Sequence, residues 1–393
     1  MSHRRPLPLS TLPRLLTTIG TIGTVLAFGA RADHPREFSN PYADVQWEET
    51  SVFHGNLHTH TTYSDGLFAP YEVVDLYKKH GYHILALTDH DTDHFEARPA
   101  ILYPWNDFAA IFEEIRHRTS TSWRWNRMDF GQFTGPWESR DPDQLGMLAV
   151  PGVEISRPHH IASLFCDYAG GTDSEETAFE EIARHGGLAV LLHPGRYQFE
   201  DDWYIDFYRR HSHLVGLEVY NQNDRYPEDR EHWDRLLHEL MPDRPVWGFA
   251  GDDMHELEHL AWNIMLFPLP HLATEPLRTS IETGAFFFYR PHHQMSPPSL
   301  EITRVTGAPQ RIDLEIEGQI ESVDWITFDP ENGQSAVIHQ GPAITIEDVP
   351  ETAVYVRARI RGEQGTAYTQ PFAVRPAIAS ALGAFQGAPL AKK

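Results

Sequence analysis

Residues 52–60 read Val-Phe-His-Gly-Asn-Leu-His-Thr-His, an apolar run that ends in two histidines one residue apart. Residues two apart on a strand face the same side, so His58 and His60 can both reach one metal. Alone, the pair is equally compatible with two solvated histidines in a turn. The rest of the chain changes the balance. Further apolar runs lie near His83–Thr88, Met147–Ile155, His160–Phe165, Leu188–Leu192, Leu214–Val219 and Val246–Ala250. They end, or begin, in Asp89-His90-Asp91, Glu154, His159-His160, His193-Pro194-Gly195-Arg196, Glu218 and Asp252-Asp253-Met254-His255, and Asp65 follows the first run in Ser64-Asp65-Gly66.

Amphipathic stretches separate these runs at Pro70–His80, Asp107–Arg118, Ser174–His185, Asp202–His211 and Glu228–Leu240. Such alternation predicts a βα repeat building a parallel sheet, whose active sites form at the carboxyl ends of the strands. Solubility alone would scatter His, Asp and Glu through the loops. With at least seven nitrogen and oxygen ligands and no thiolate, the set suits Zn²⁺, Mn²⁺ or Fe²⁺. One tetrahedral site cannot use so many ligands, so several divalent ions are expected.

The chain has 393 residues, 32 Lys+Arg, 56 Asp+Glu, 24 His, one Cys, 41% apolar residues and a formal charge of −24. This is a globular composition, and its length predicts one large domain plus a small one. Residues 1–32 carry Arg4, Arg5, Arg14 and Arg31 but no acid, then an apolar stretch from Leu15 to Gly29 and Ala30-Arg31-Ala32. That is the pattern of a cleaved signal peptide, which predicts an exported, periplasmic or secreted protein with no stable membrane span after cleavage. The remainder, four arginines poorer, carries −28. Such a body repels long nucleic acid and favours a small-molecule substrate. Lysine occurs only at positions 78, 79, 392 and 393, leaving little room for a Walker A or Schiff-base lysine.

Residues 119–146 hold Trp123, Trp125, Phe130, Phe133 and Trp137 without a steady period. They read as a Trp-rich insertion, either a pocket lid or packing on the rim. After Pro297, segments alternating with period two, such as Ile312–Ile316 and Val354–Arg361, predict a small antiparallel β-sandwich. The resulting organisation is signal peptide 1–32, metal-dependent hydrolase region 33–296, sandwich 297–376 and a flexible tail 377–393.

The ordered set His58-x-His60, Ser64-Asp65-Gly66, Thr88-Asp89-His90, Gly152-Val153-Glu154-Ile155, His193-Pro194 and Asp253-x-His255 resembles the motifs of the PHP (polymerase and histidinol phosphatase) superfamily. The resemblance covers about residues 50–290 and implies a distorted (β/α)7 barrel with a trinuclear metal site. It implies His58, His60, Glu154 and Asp253 for the first metal, Asp65, His90 and His255 for the second, and Glu154, His160 and His193 for the third. Glu154 then bridges two ions, and His159 is the alternative to His160. Among helpers, Arg196 either holds a phosphate oxygen or makes a surface salt bridge. Glu218 and Asn221 match a Glu-Val-Tyr-Asn stretch of relatives, while Asp89, Asp91 and Asp252 either orient imidazoles or cap helices.

The function expected from this is an exported phosphoesterase for small phosphate mono- or diesters, acting through a metal-bridging hydroxide with Glu154, Asp65 and Arg196 at its centre. A secreted single barrel with a β-rich tail also resembles the carbaryl-hydrolase branch, so ester or carbamate hydrolysis is the alternative. A non-enzymatic metal-binding or interaction protein is the remaining reading, and retention of every expected ligand counts against it.

Overall fold

The structure, a computed structural model, describes residues 36–62, 64–91, 140–157, 159–168, 170–197, 199–307 and 309–377. The signal peptide, the helix expected at 107–118, the aromatic part of the insertion (119–139) and the tail from 378 lie outside them.

Within the described residues strands and helices alternate over much of the chain, though some strands follow one another directly. After β1 (Arg36–Ser39) come β2 (Ser51–Asn56), helix α1 (Pro70–Lys79), β3 (Ile84–Ala86), a short α2 (Pro142–Leu145), β4 (Leu148–Val150) and β5 (Gly152–Ile155). Next are β6 (Ile161–Leu164), α3 (Glu175–Arg184), β7 (Leu188–Leu191), α4 (Asp201–Arg210), β8 (Leu214–Asn221), α5 (Asp229–Leu240) and β9 (Trp247–Gly251). The chain continues with β10 (Ile264–Leu269), α6 (Thr274–Thr283) and β11 (Phe287–Pro291). It closes with β12 (Leu300–Thr306), β13 (Arg311–Gly318), β14 (Ile320–Asp329), β15 (Gln334–Gln340), β16 (Ala343–Thr345), β17 (Tyr355–Gly362), β18 (Gly365–Thr369) and β19 (Phe372–Pro376).

Local chemistry sets the helix ends. Pro70 opens α1, and the Glu72 carboxylate accepts the Ala69 N–H at 2.8 Å. Ser174 Oγ accepts the Thr177 N–H at 3.3 Å to start α3, whose Ala178, Phe179 and Ile182 are buried. Burial of Phe179 and Ile182 contributes roughly 2 kcal/mol each. β8 is buried at all eight positions, which is why its sequence reads as an apolar run rather than an alternation.

Pairing is mixed rather than parallel throughout, a correction to the expected parallel sheet. β2–β3–β4 and β7–β8–β9 are parallel, whereas β5–β6, β6–β7 and β10–β2 are antiparallel. Only five residues join β5 to β6, too few for the crossover of a dozen or more that a parallel pair needs. The single run Met147–Ile155 is in fact two strands in different sheets, broken at Pro151, which has no N–H for a ladder. Two isolated parallel bridges, Thr59–Met254 and His90–Glu154, stitch the carboxyl ends of these sheets together.

Beyond Pro297 the pairings are antiparallel, and they continue a sheet already begun: β18 pairs with β11 from Phe287–Thr369 to Pro291–Gly365. β17 and β18 thereby extend the order β11–β10–β2–β3–β4, while β12–β13–β16 forms a separate three-stranded sheet. No helix among the described residues is long and apolar enough to cross a membrane.

Candidate metal centre

The carboxyl ends of the strands, with the amino end of the antiparallel β6, converge on three groups of side chains able to hold metal ions: His58, His60, Glu154 and Asp253; His60, Asp65, His90 and His255; and His90, Glu154 and His160. In the first, Glu154 Oε2 lies 3.2 Å from His58 Nε2 and 2.9 Å from His60 Nε2. Asp253 Oδ1 lies 3.3 and 3.1 Å from the same nitrogens, which are 3.3 Å apart. A tetrahedron of ligands about 2.0 Å from a central ion has edges of about 3.3 Å. The donor set therefore fits a divalent cation in chemistry and in spacing.

In the second group Asp65 Oδ1 is 3.1 Å from His255 Nε2, 3.4 Å from His90 Nε2 and 3.6 Å from His60 Nδ1. In the third, Glu154 turns its other oxygen, Oε1, to His160 Nδ1 and lies 3.2 Å from His193 Nε2. The two oxygens of one fully buried carboxylate thus serve different groups. His193 Nδ1 is buried without a hydrogen-bond partner among the described residues. His159 points elsewhere: its Nδ1 meets the His160 carbonyl at 2.8 Å and its ring stacks on Trp203.

The surroundings orient these rings. Glu218 Oε1 accepts His58 Nδ1–H at 2.7 Å, leaving Nε2 as the lone-pair nitrogen facing the cluster, and Glu218 Oε2 accepts the His193 N–H at 2.9 Å. His255 Nδ1 donates to the Asp253 carbonyl at 2.8 Å, so its Nε2 faces Asp65. Ser156 Oγ lies 2.7 Å from His90 Nδ1 and Ser64 Oγ 3.2 Å from His60 Nδ1.

Among the described residues Asp89, Asp91 and Asp252 accept hydrogen bonds from loop backbone and hydroxyls. Asp89 accepts the Thr61 N–H at 2.8 Å and the Ser64 hydroxyl at 2.7 Å, fixing the turn that carries Asp65. Asp91 accepts N–H groups of Ser156 and Gly171, and Asp252 those of Ala261, Trp262 and Asn263.

Backbone strain collects at the same place. His193, Gln222 and Asp253, after β7, β8 and β9, have φ of +31°, +48° and +43°. Such left-handed conformations cost side-chain-bearing residues about 1–3 kcal/mol each and persist only where the surroundings enforce them. The enforcing bonds are His193 N–H to Glu218, Gln222 N–H to the Gly251 carbonyl and Asp253 N–H to the His58 carbonyl. Gly251 is required: a Cβ there would lie 2.0 Å from Glu218 Oε1.

The electrostatics call for cations. Burial disfavours charge on His60, yet Asp253, Glu154 and Asp65 raise its pKa to about 10. His58, equally buried, is raised well above the usual range by Glu218, Asp253 and Glu154. Against their own burial, Glu154 is held well below the carboxylate range by His160, His90 and His58, and Asp253 by His58, His60 and His255. For His160 burial outweighs the pull of Glu154 and pushes the pKa down to about 4.

Arg196 stands apart from this cluster, exposed, with its guanidinium 5.8 Å from the Tyr197 ring centre. Sequence reading overlooked Arg225, whose Nη1 lies 4.0 Å from Asp253 Oδ2. It also missed the serine hydroxyls and Gln222, whose Nε2 donates to Asp253 Oδ2 at 3.2 Å. The placement of Ser64 beside Asp65 and of Ser156 beside Glu154 was the available signal.

No protein-family model matches the chain. The 5'-3' exoribonuclease Rnm of Salmonella typhimurium is 27% identical over 256 residues, 51% of this chain and 85% of that protein. The protein of the same name from Escherichia coli is 26% identical over 254 residues, with the same shares. Among solved structures, the chain is similar to a two-domain protein from Bacteroides vulgatus containing a predicted PHP-like metal-dependent phosphoesterase. That likeness covers 85% of this chain and 98% of the other at 15% identity, with a TM-score of 0.45.

Proposed function

We propose, on the premise that the chain is a PHP-superfamily protein, that it is an exported metal-dependent hydrolase acting on small phosphate mono- or diesters. The observation that carries this reading is the fully buried Glu154 carboxylate, with one oxygen turned to His58 and His60 and the other to His160 and His193. Two or three Zn²⁺, Mn²⁺ or Fe²⁺ ions are the expected occupants, with His58, His60, Asp65, His90, Glu154, His160, His193, Asp253 and His255 as ligands. Divalent ions in these positions supply a nucleophilic water of lowered pKa and offset the charge on the attacked group.

The chain's part is to hold that assembly rigid and dry at its base. Glu218 fixes the tautomer of His58, and Asp89 fixes the turn that presents Asp65. Arg196, exposed after His193, is available to a phosphate oxygen. The seven strands β2, β3 and β5–β9, joined edge to edge by their pairings and the two isolated bridges, are read as a distorted (β/α)7 barrel.

Two alternatives act on the same residues. The relatives named 5'-3' exoribonuclease favour a nucleic-acid end as substrate, against which the mature charge of −28 argues for short oligonucleotides at most. Ester or carbamate hydrolysis is the other.

The test is hydrolysis of p-nitrophenyl phosphate, bis(p-nitrophenyl) phosphate, p-nitrophenyl acetate, an aryl N-methylcarbamate and a short 5'-phosphorylated RNA by protein loaded with Mn²⁺ or Zn²⁺, with His60→Ala as control. Turnover of phosphate esters, lost in the variant, is the expected result. Turnover confined to the acetate or carbamate would replace it, and no turnover with metal bound would point to a binding protein.

A further inference from the structure

The loop after β8 is held by two arginines, Arg290 and Arg230, that bond to its backbone and side chains. Arg290 donates to the Gln222 carbonyl at 3.1 Å, to Asn223 Oδ1 at 2.8 Å and to Asn263 Oδ1 at 3.3 Å. Arg230 donates to Asp224 Oδ1 at 2.6 Å and lies over the Tyr220 ring. Both Gln222 and Asp224 adopt left-handed conformations, with φ of +48° and +55°, so the loop is fixed in a costly shape.

That shape presents Arg225. Its guanidinium rests 5.2 Å from the Tyr226 ring centre, is half exposed, and makes no hydrogen bond among the described residues. Its ion-pair partner among the described residues is Asp253 Oδ2 at 4.0 Å, on the carboxylate whose other oxygen faces His58 and His60. A planar fork of donors at that distance, beside a centre built for cations, is placed for an oxyanion.

We propose that Arg225 binds the anionic oxygens of the substrate at the rim of the His58–His60–Glu154–Asp253 cluster and so selects phosphorylated compounds over neutral esters. This rests on the phosphoesterase reading. Arg290 acts through the loop, as a positioning residue. The competing role for Arg225 is a simple partner of Asp253, and the two roles differ in what they do to metal binding.

The experiment titrates inorganic phosphate calorimetrically into the metal-loaded full-length protein, its Arg225→Ala variant and its Arg225→Lys variant, with metal content measured on each. KM and kcat for p-nitrophenyl phosphate accompany the titration. Loss of one charge-assisted contact is expected to weaken phosphate binding by about tenfold or more. KM rises in parallel, metal content is unchanged, and Arg225→Lys recovers part of the loss because lysine keeps the charge but not the fork. Unchanged phosphate affinity in Arg225→Ala, with wild type binding phosphate, would overturn the assignment alone. Loss of metal in that variant would make Arg225 a support for Asp253 instead. Wild-type protein that holds metal but neither binds phosphate nor cleaves phosphate esters would remove the phosphoesterase reading and this assignment together.

Discussion

Two clusters of buried charge in this chain are built on opposite terms. Asp234 on α5 and Arg357 on β17 are both buried, and they satisfy one another. Arg357 Nε donates to Asp234 Oδ1 at 2.8 Å, Tyr355 and Ser335 hydroxyls donate to the same carboxylate, and the guanidinium lies over Trp233. At the carboxyl ends of the strands, Glu154 and Asp253 are equally buried but face imidazoles, with no arginine or lysine at hydrogen-bond distance among the described residues. The first cluster is complete as it stands and fastens the C-terminal strands to the helix. The second sets carboxylate oxygens against imidazole nitrogens, groups that can all act as metal donors, so the place suits added cations.

The sharpest way to break this contrast is to delete one member of each. His60→Ala, which removes a ligand from the first two groups, is expected to cut turnover by about a thousandfold or more while circular dichroism stays that of the wild type. Global unfolding of that variant would make the histidine structural. Arg357→Met leaves Asp234 buried and unpaired, and should destabilise the fold by about 3–5 kcal/mol in urea unfolding with kcat little changed. A large loss of kcat in the stable fraction would mean that the C-terminal strands reach into the chemistry.

Asp89→Ala tests the intermediate case, a carboxylate near the site that accepts from the Thr61 N–H and the Thr61 and Ser64 hydroxyls. Freeing the Thr61–Ser64 turn should lower kcat by about tenfold through displaced Asp65, with only partial loss of bound metal.

The smallest effect is in acid. Burial, assisted by neighbouring His83 and His211 respectively, pushes His54 and His213 down to about 4 from 6.5. The unfolded chain binds protons there that the folded chain does not, so stability is full above about 6.5 and falls as pH drops toward 4. NMR titration of the His54 and His213 imidazoles between pH 7.5 and 4 should place both midpoints well below 6.5; midpoints near 6.5 would contradict these shifts.

The grouping of these side chains was legible because they sit at the ends of apolar runs, where a period of two fixes which side chains face inward. His58 and His60 are the clearest instance, and the structure brings all nine expected ligand residues together. Strand direction was not legible: β6 runs antiparallel to β5 because the connection is short, a fact visible only once both strand ends are known. Pairing of β18 with β11 joins residues far apart in sequence, and no local pattern at Gly365–Thr369 announces its neighbour. Arg225 escaped notice for a similar reason, since its meaning depends on Asp253 being 4.0 Å away.

The most direct measurement is the number of divalent ions bound per chain, by inductively coupled plasma mass spectrometry, in wild type and in Glu154→Gln. If Glu154 is shared between two groups, wild type holds two or three ions and the variant loses more than one. Wild type holding none after growth with added Mn²⁺ and Zn²⁺, or a variant holding as many as wild type, would contradict it.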